Sequence, residues 1–267
     1  MKTFYFFAGL PRSGNTIFSA ILNENPDIYA TGHSCVPEIF YAITEAQKKA
    51  VVFTNYLDVP SLNNVYKNII KNYYAGYKER YIVERGDWIT PYNLKILKQF
   101  CPYPIKGIIL VRDILDILKS YLQLCKYNPN YIYNEVYGKM NLTTLYTNEI
   151  ETKADLIMAK GDYVDTMLYS IHQLKLNNLL KDFLIINYDD LVTQTKETIE
   201  KVYDYYGIKK FNHKFTNLKQ LPLYHDEILG APLHHIRTDK VKKSINNIKL
   251  PETVVNKYKH LNKIWNE

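Results

Sequence analysis

The sequence predicts an α/β fold of three layers, α/β/α, with helices on both faces of a central parallel sheet, in one domain over residues 1–267. Three observations predict it. Apolar strand-like runs alternate with segments of helical period along the chain. The first run, Thr3 to Leu10, passes straight into a glycine-containing loop and then a helical pattern. Ile105 to Val111 is a nearly continuous apolar run, as expected of a strand covered on both faces of a parallel sheet.

In chain order, Thr3–Leu10 reads as a buried strand, broken by Gly9 and Pro11. Ile17, Ala20, Ile21 and Leu22 follow at helical spacing until Asn25-Pro26 ends the pattern. Ile39, Phe40, Ile43 and Ala46 predict a second helix, and Val65–Tyr77 a third. Tyr81–Glu84 reads as a short strand and Leu94–Phe100 as a helix. After the strand at Ile105–Val111 comes a helix over Ile114–Leu124. Phe183–Ile186 is a further strand, followed by a helix over Leu191–Tyr206 that stops at Gly207. Two stretches carry little core pattern: 127–160, rich in Asn, Tyr and Thr, and 212–248, rich in His, Lys and Pro. Irregular stretches of such length in compact domains are often lids or binding loops, and with residues 36–80 they are the expected acceptor-site or lid segments.

The chain is 46% hydrophobic and 23% charged, enough to bury a core. No apolar run reaches the roughly 18 residues a membrane helix needs, and the run before Pro11 lacks a cleavage pattern. Three widely spaced cysteines, Cys35, Cys101 and Cys125, form no CxxC pair. A reducing, cytoplasmic setting without a membrane span is the expectation. A net charge of +7 suits a polyanionic partner such as a nucleotide, but equally a soluble basic surface. Some of the 25 tyrosines could stack on a base or an acceptor ring.

The segment Gly9-Leu10-Pro11-Arg12-Ser13-Gly14-Asn15-Thr16 joins the first strand to its helix. A helix N-terminus offers unpaired N–H groups and a positive dipole end to an anion. Gly14 allows close backbone approach, Arg12 supplies a fixed fork of donors, and Ser13 and Thr16 add hydroxyls. This is not the ATPase loop GxxxxGK[ST], because Asn15 stands where that loop has lysine. Farther on, Arg112-Asp113 follows the strand at Ile105–Val111, with Ser120 eight residues after Arg112. A helix starting near Asp113 brings Ser120 about two turns along, so Arg112 and Ser120 can face one anion.

With these two motifs the chain resembles the PAPS-dependent sulfotransferases, whose donor is 3′-phosphoadenylyl sulfate (PAPS). The PRSGNT run is most similar to the carbohydrate and tyrosyl-protein branch, whose loop carries arginine. The resemblance implies the P-loop-containing nucleotide-hydrolase-like sulfotransferase fold. It places the 5′-phosphosulfate on the loop from Pro11 through Arg12, Ser13, Gly14 and Asn15 to Thr16, and the 3′-phosphate on Arg112 and Ser120. Arg12 then stabilises charge on the bridging oxygen as the sulfuryl group leaves. A third similarity, Tyr188-Asp189-Asp190-Leu191, puts Tyr188 near the adenine. The basic run His234–Lys243 is similar to a segment that closes over the nucleotide, with Arg237 and Lys240 as its candidates. The product is then 3′-phosphoadenosine 5′-phosphate (PAP), and no metal is expected.

Transfer to a hydroxyl also needs a base, which contributes about 10²–10⁴-fold. The stretch Thr31-Gly32-His33-Ser34-Cys35-Val36-Pro37-Glu38 lies where the resembling branch carries a carboxylate. His33 and Glu38 are the two candidates. Arg85, at the end of the strand Tyr81–Glu84, is the candidate for a second charge near the sulfate. The acceptor stays open among a glycan, a small alcohol and a tyrosine. Two other readings remain beside this one: an ATP-dependent P-loop kinase, which explains the first loop alone, and a nucleic-acid binder, which explains charge and tyrosines but finds no binding motif. No nucleic-acid partner is expected on the favoured reading.

Overall fold

The computed structural model describes residues 2–102, 104–127, 150–219, 221, 234, 236, 240–244 and 246–266, the side chains of 126 and 127 apart. Among them, five strands form one parallel sheet: β1 (Thr3–Gly9), β2 (Ile28–Ala30), β3 (Tyr81–Arg85), β4 (Gly107–Val111) and β5 (Phe183–Asn187), in the order β2-β3-β1-β4-β5. Phe7 pairs with Arg85, Gly9 with Leu110 and Val111 with Asn187, so the C-terminal ends of β3, β1, β4 and β5 line one edge. The order departs from sequence at β1, which leaves a crevice at its carboxyl end, where open α/β sheets bind ligands.

The period-2 alternation of β1 feeds two cores. Tyr5 and Phe7 pack with Phe18, Ile21 and Leu22 of α1 (Asn15–Leu22). Phe4 and Phe6 face the other way, against Val36 and Phe40 of α2 (Val36–Lys49), Tyr66 and Ile70 of α4 (Val59–Tyr73), and Leu97 of α5 (Pro91–Phe100). The short α3 (Val51–Asn55) contributes no buried residue. On that second face Ala8 also meets α6 (Ile114–Tyr127), α7 (Ile150–Ile157) and α8 (Tyr163–Leu176). Burial of each such phenylalanine is worth about 1.5–3 kcal/mol.

The helix expected over 191–206 is two: α9 (Tyr188–Thr193) and α10 (Thr195–Tyr206). The Thr193 hydroxyl donates to the Asp189 carbonyl and that of Thr198 to the Asp190 carbonyl, so side chains take up helical carbonyls on either side of the break. Gly207, at φ 71°, ends α10 as expected. Helices also stand where no element is expected, at α8 and at α11 (Glu252–Tyr258) and α12 (Lys263–Asn266). In the two stretches expected to be irregular, Ile150–Ile157 is helical and Thr216 bridges antiparallel to Lys240. Among the described residues no helix is long and apolar enough to cross a membrane.

A buried histidine fastens the chain after α10. His213 Nδ1 lies 3.0 Å from Glu24 Oε2 and its Nε2 2.9 Å from the Tyr203 hydroxyl. A carboxylate only accepts, so the ring proton sits on Nδ1 and Nε2 accepts from Tyr203. Asn25 Nδ2 donates to the same Tyr203 oxygen at 3.0 Å. Burial lowers the pKa of His213, with Glu24 opposing, and keeps the ring neutral.

Candidate active site

The loop after β1 folds onto itself. The Ser13 hydroxyl donates to the Leu10 carbonyl at 2.5 Å. Asn15 Nδ2 donates to the same carbonyl at 2.9 Å and to Ser13 Oγ at 3.4 Å. Both side chains are buried, as is Pro11. The Ser13 hydroxyl, expected to face a ligand, here directs its proton into the loop. What the loop presents outward is backbone. Among the described residues, the N–H groups of Gly14, Asn15 and Thr16 have no acceptor within the chain, as at any helix start. Gly14 caps α1 at φ 88°, and a Cβ there would come within 2.9 Å of Tyr188 Cδ2. Arg12 adopts φ 61°, a strained conformation for a side-chain-bearing residue that costs on the order of 1–3 kcal/mol.

The second motif meets the first through Arg12. Arg112 Nη1 donates to the Arg12 carbonyl at 2.8 Å, and Arg12 Nε donates to Ser120 Oγ on α6 at 3.0 Å. The Arg112 guanidinium lies 4.1 Å over the Tyr188 ring, and its buried Nε has no partner among the described residues. Asp113 has a structural part: it accepts the N–H groups of Leu115 and Asp116 and a bond from Asn262, and so starts α6. Tyr188 contacts Ser244 by hydroxyl–hydroxyl approach at 3.2 Å, and Lys243 pairs with Asp189 at 2.8 Å. Lys240 is exposed, and Arg237 lies outside the described residues.

Arg85 closes β3 at 7% exposure. Its Nη1 donates to the Gly32 carbonyl at 2.9 Å and meets His33 Nδ1 at 2.6 Å, and its Nη2 donates to the Tyr163 hydroxyl at 3.4 Å. A guanidinium only donates, so His33 Nδ1 accepts and the ring proton is on Nε2. His33 is exposed as a residue, while neighbouring atoms partly desolvate its ring. That desolvation, then Arg85, then His234 lower its pKa from 6.5 to about 4. His33 is thus a neutral donor at pH 7, its free lone pair already taken. Glu38 is exposed in the first turn of α2, near enough to Glu84 and Tyr163 to raise the pKa of each.

The sequence reading missed two groups here. Glu84 is fully buried and accepts from Trp88 Nε1; its Oε1 has no hydrogen-bond partner among the described residues. Desolvation raises its pKa from 4.5 to about 7, with Ser34 and Trp88 opposing. Tyr163 donates to Asp87 Oδ1 at 2.8 Å. The helical spacing of Val164, Met167, Leu168, Ile171 and Leu174 was a usable signal for α8 and hence for Tyr163 at its start. Nothing local marks Glu84, since charge inside a strand gives no hint of the cover above it. Among the described residues no group of three or more His, Cys, Asp or Glu is placed to hold a metal ion.

Two arginines, a serine and a row of helix N–H groups thus converge at the carboxyl edge, the chemistry of an anionic phosphate site. The sulfotransferase domain family matches residues 3–261. No curated protein matches the chain in sequence. The fold is similar to the sulfotransferase domain from the curacin biosynthetic pathway, with TM-score 0.61 and 13% identity, covering 98% of this chain and 97% of that one. It is also similar to the sulfotransferase domain from the Synechococcus PCC 7002 olefin synthase, with TM-score 0.54 and 13% identity, covering 100% and 95%.

Proposed function

Because the chain belongs to the sulfotransferase domain family, we propose that it transfers the sulfuryl group of PAPS to a hydroxyl acceptor by in-line displacement. The observation that carries this reading is the meeting of Arg12, Arg112 and Ser120, brought together from sequence positions 100 and 108 residues apart. A phosphate loop alone needs no second arginine there. The orphaned, buried Nε of Arg112 beside the Tyr188 ring suits a 3′-phosphate with its base close by.

In this reading the acceptor oxygen attacks sulfur, the bond from sulfur to the 5′-phosphate oxygen breaks, and PAP leaves. Arg12 and the N–H groups of Gly14, Asn15 and Thr16 stabilise the charge growing on that oxygen. Arg85 faces the sulfuryl oxygens, and His33 Nε2–H adds a neutral donor. The acceptor proton goes to Glu38, since His33 has no lone pair to offer while Arg85 holds its Nδ1. Residues 36–80 shape the acceptor side; of the other proposed acceptor segment, 127–160, residues 128–149 lie outside the described residues. The acceptor class stays a glycan, a small alcohol or a tyrosine.

Calorimetric titration with PAP and with ADP tests the reading. The two share adenosine and a 5′-phosphate, and only PAP has the 3′-phosphate. PAP should bind at least tenfold tighter than ADP, and Arg112→Ala should abolish that preference, as loss of a charged hydrogen bond implies. Preference for ADP would return the protein to the ATP-dependent phosphotransferase reading.

A further inference from the structure

We infer that the Tyr163 hydroxyl is a spacer: standing between the Arg85 guanidinium and the Asp87 carboxylate, it prevents the two from pairing and so leaves the Arg85 charge for the sulfuryl group. The inference rests on the reading of Arg85 given above.

Arg85 and Asp87 flank Gly86 at the end of β3, so their side chains start within reach of one another. An arginine and a carboxylate two residues apart in a poorly solvated site attract strongly and form bidentate pairs readily. Here they do not. No Arg85 nitrogen comes within 4.0 Å of an Asp87 carboxylate oxygen. Between them is one oxygen, which accepts from Arg85 Nη2 at 3.4 Å and donates to Asp87 Oδ1 at 2.8 Å. Its proton stays in place because burial raises the Tyr163 pKa well above the usual phenol range, with Arg85 opposing and Asp87 and Glu38 adding to it.

The consequence for Arg85 is specific. Its three acceptors, the Gly32 carbonyl, the His33 ring nitrogen and the Tyr163 hydroxyl, are all neutral. Glu84 is the nearest other carboxyl along the strand; it is turned under Trp88, where burial favours its neutral form. A buried arginine bonded to neutral acceptors alone retains an unbalanced charge, which an incoming anion can satisfy. The turn around Asp87 does not supply this separation by itself. The Asp87 carbonyl accepts from Thr90 N, Thr90 Oγ1 and Asn93 Nδ2 at 3.0–3.1 Å, which fixes the backbone but leaves the carboxylate free to swing. Tyr163 comes from α8, 78 residues from Arg85, so the device exists only in the folded chain. It positions Arg85 and touches no reacting atom.

The test uses the full chain, PAPS and PAP as probes, and three variants: Tyr163→Phe, Asp87→Asn and the two combined. Tyr163→Phe should weaken PAPS binding about tenfold relative to PAP, as loss of one charged contact implies, while PAP affinity moves less than twofold. The double variant should recover most of that loss, because no carboxylate remains to capture Arg85. A merely structural tyrosine would weaken both nucleotides alike, or give a loss that Asp87→Asn does not repair; either result overturns the inference. A crystal structure of Tyr163→Phe reads the spacer without nucleotide: an Arg85 nitrogen within 4.0 Å of an Asp87 carboxylate oxygen supports it, and the two still apart overturns it. Wild-type protein that binds neither PAP nor PAPS would instead defeat the functional reading, and the crystal structure would still decide the spacer.

Discussion

The two ends of the crevice secure their arginines by different means. At the loop after β1, Arg12 and Arg112 hold each other through one carbonyl, with Ser120 and the Tyr188 ring completing the set. Each lies in a short motif next to a strand end. At the end of β3, Arg85 is held by residues from the 32–33 turn and from α8. Among the residues between α2 and α4, Val51 and Val52 of α3 and Tyr56 just after it stand at 70%, 69% and 81% exposure. The first end is a local device that the sheet makes ready; the second is assembled from distant segments.

Removing Arg12 should break the first end most severely. Arg12→Ala is expected to lower sulfuryl transfer about 10²–10³-fold, the usual cost of one preorganised donor at developing charge. Thermal unfolding should move little, since alanine keeps the Cβ and with it the same strain at φ 61°. Turnover within threefold of wild type would remove Arg12 from the chemistry. Gly14→Ala attacks the same end through packing. Its positive φ and the 2.9 Å approach to Tyr188 Cδ2 predict a loss of about 2 kcal/mol in denaturant unfolding. No loss would mean that Tyr188 can withdraw and that the end is less rigid than its bonds suggest.

At the second end, the pH dependence of Glu84 is the sharper probe. The folded chain binds the Glu84 proton more tightly than the unfolded one, with the pKa raised from 4.5 to about 7. Its contribution to stability is whole below pH 4.5 and is lost as the pH rises through 7. Glu84→Gln should therefore gain on wild type by about 1–3 kcal/mol at pH 8 and show little change near pH 4.5. Parallel stability curves for the two proteins would show that the carboxyl reaches water. His33→Gln gives the smallest expected effect, a loss of transfer under tenfold with the alkaline limb unchanged. A loss of about 10²–10⁴-fold would restore His33 as the base.

Much of the fold was legible because parallel strands under helices on both faces are apolar throughout, and β1, β4 and β5 stand out on that ground alone. β2 did not, being three residues long. α8 carried a readable period but follows a stretch without one. The phosphate loop was legible as a loop, whereas the commitments inside it were not. Ser13 and Asn15 both turn to the Leu10 carbonyl, a partner that only the folded loop brings to them.

By itself the sequence determined the order strand, glycine loop, helix, and the second arginine with its serine, because these devices act over a few residues at a strand end. Tertiary structure alone decided which nitrogen of His33 carries the proton, that Glu84 is sealed under Trp88, and that Tyr163 stands between Arg85 and Asp87. Protonation and charge pairing depend on burial and on partners many residues away, and neither is written in the local sequence.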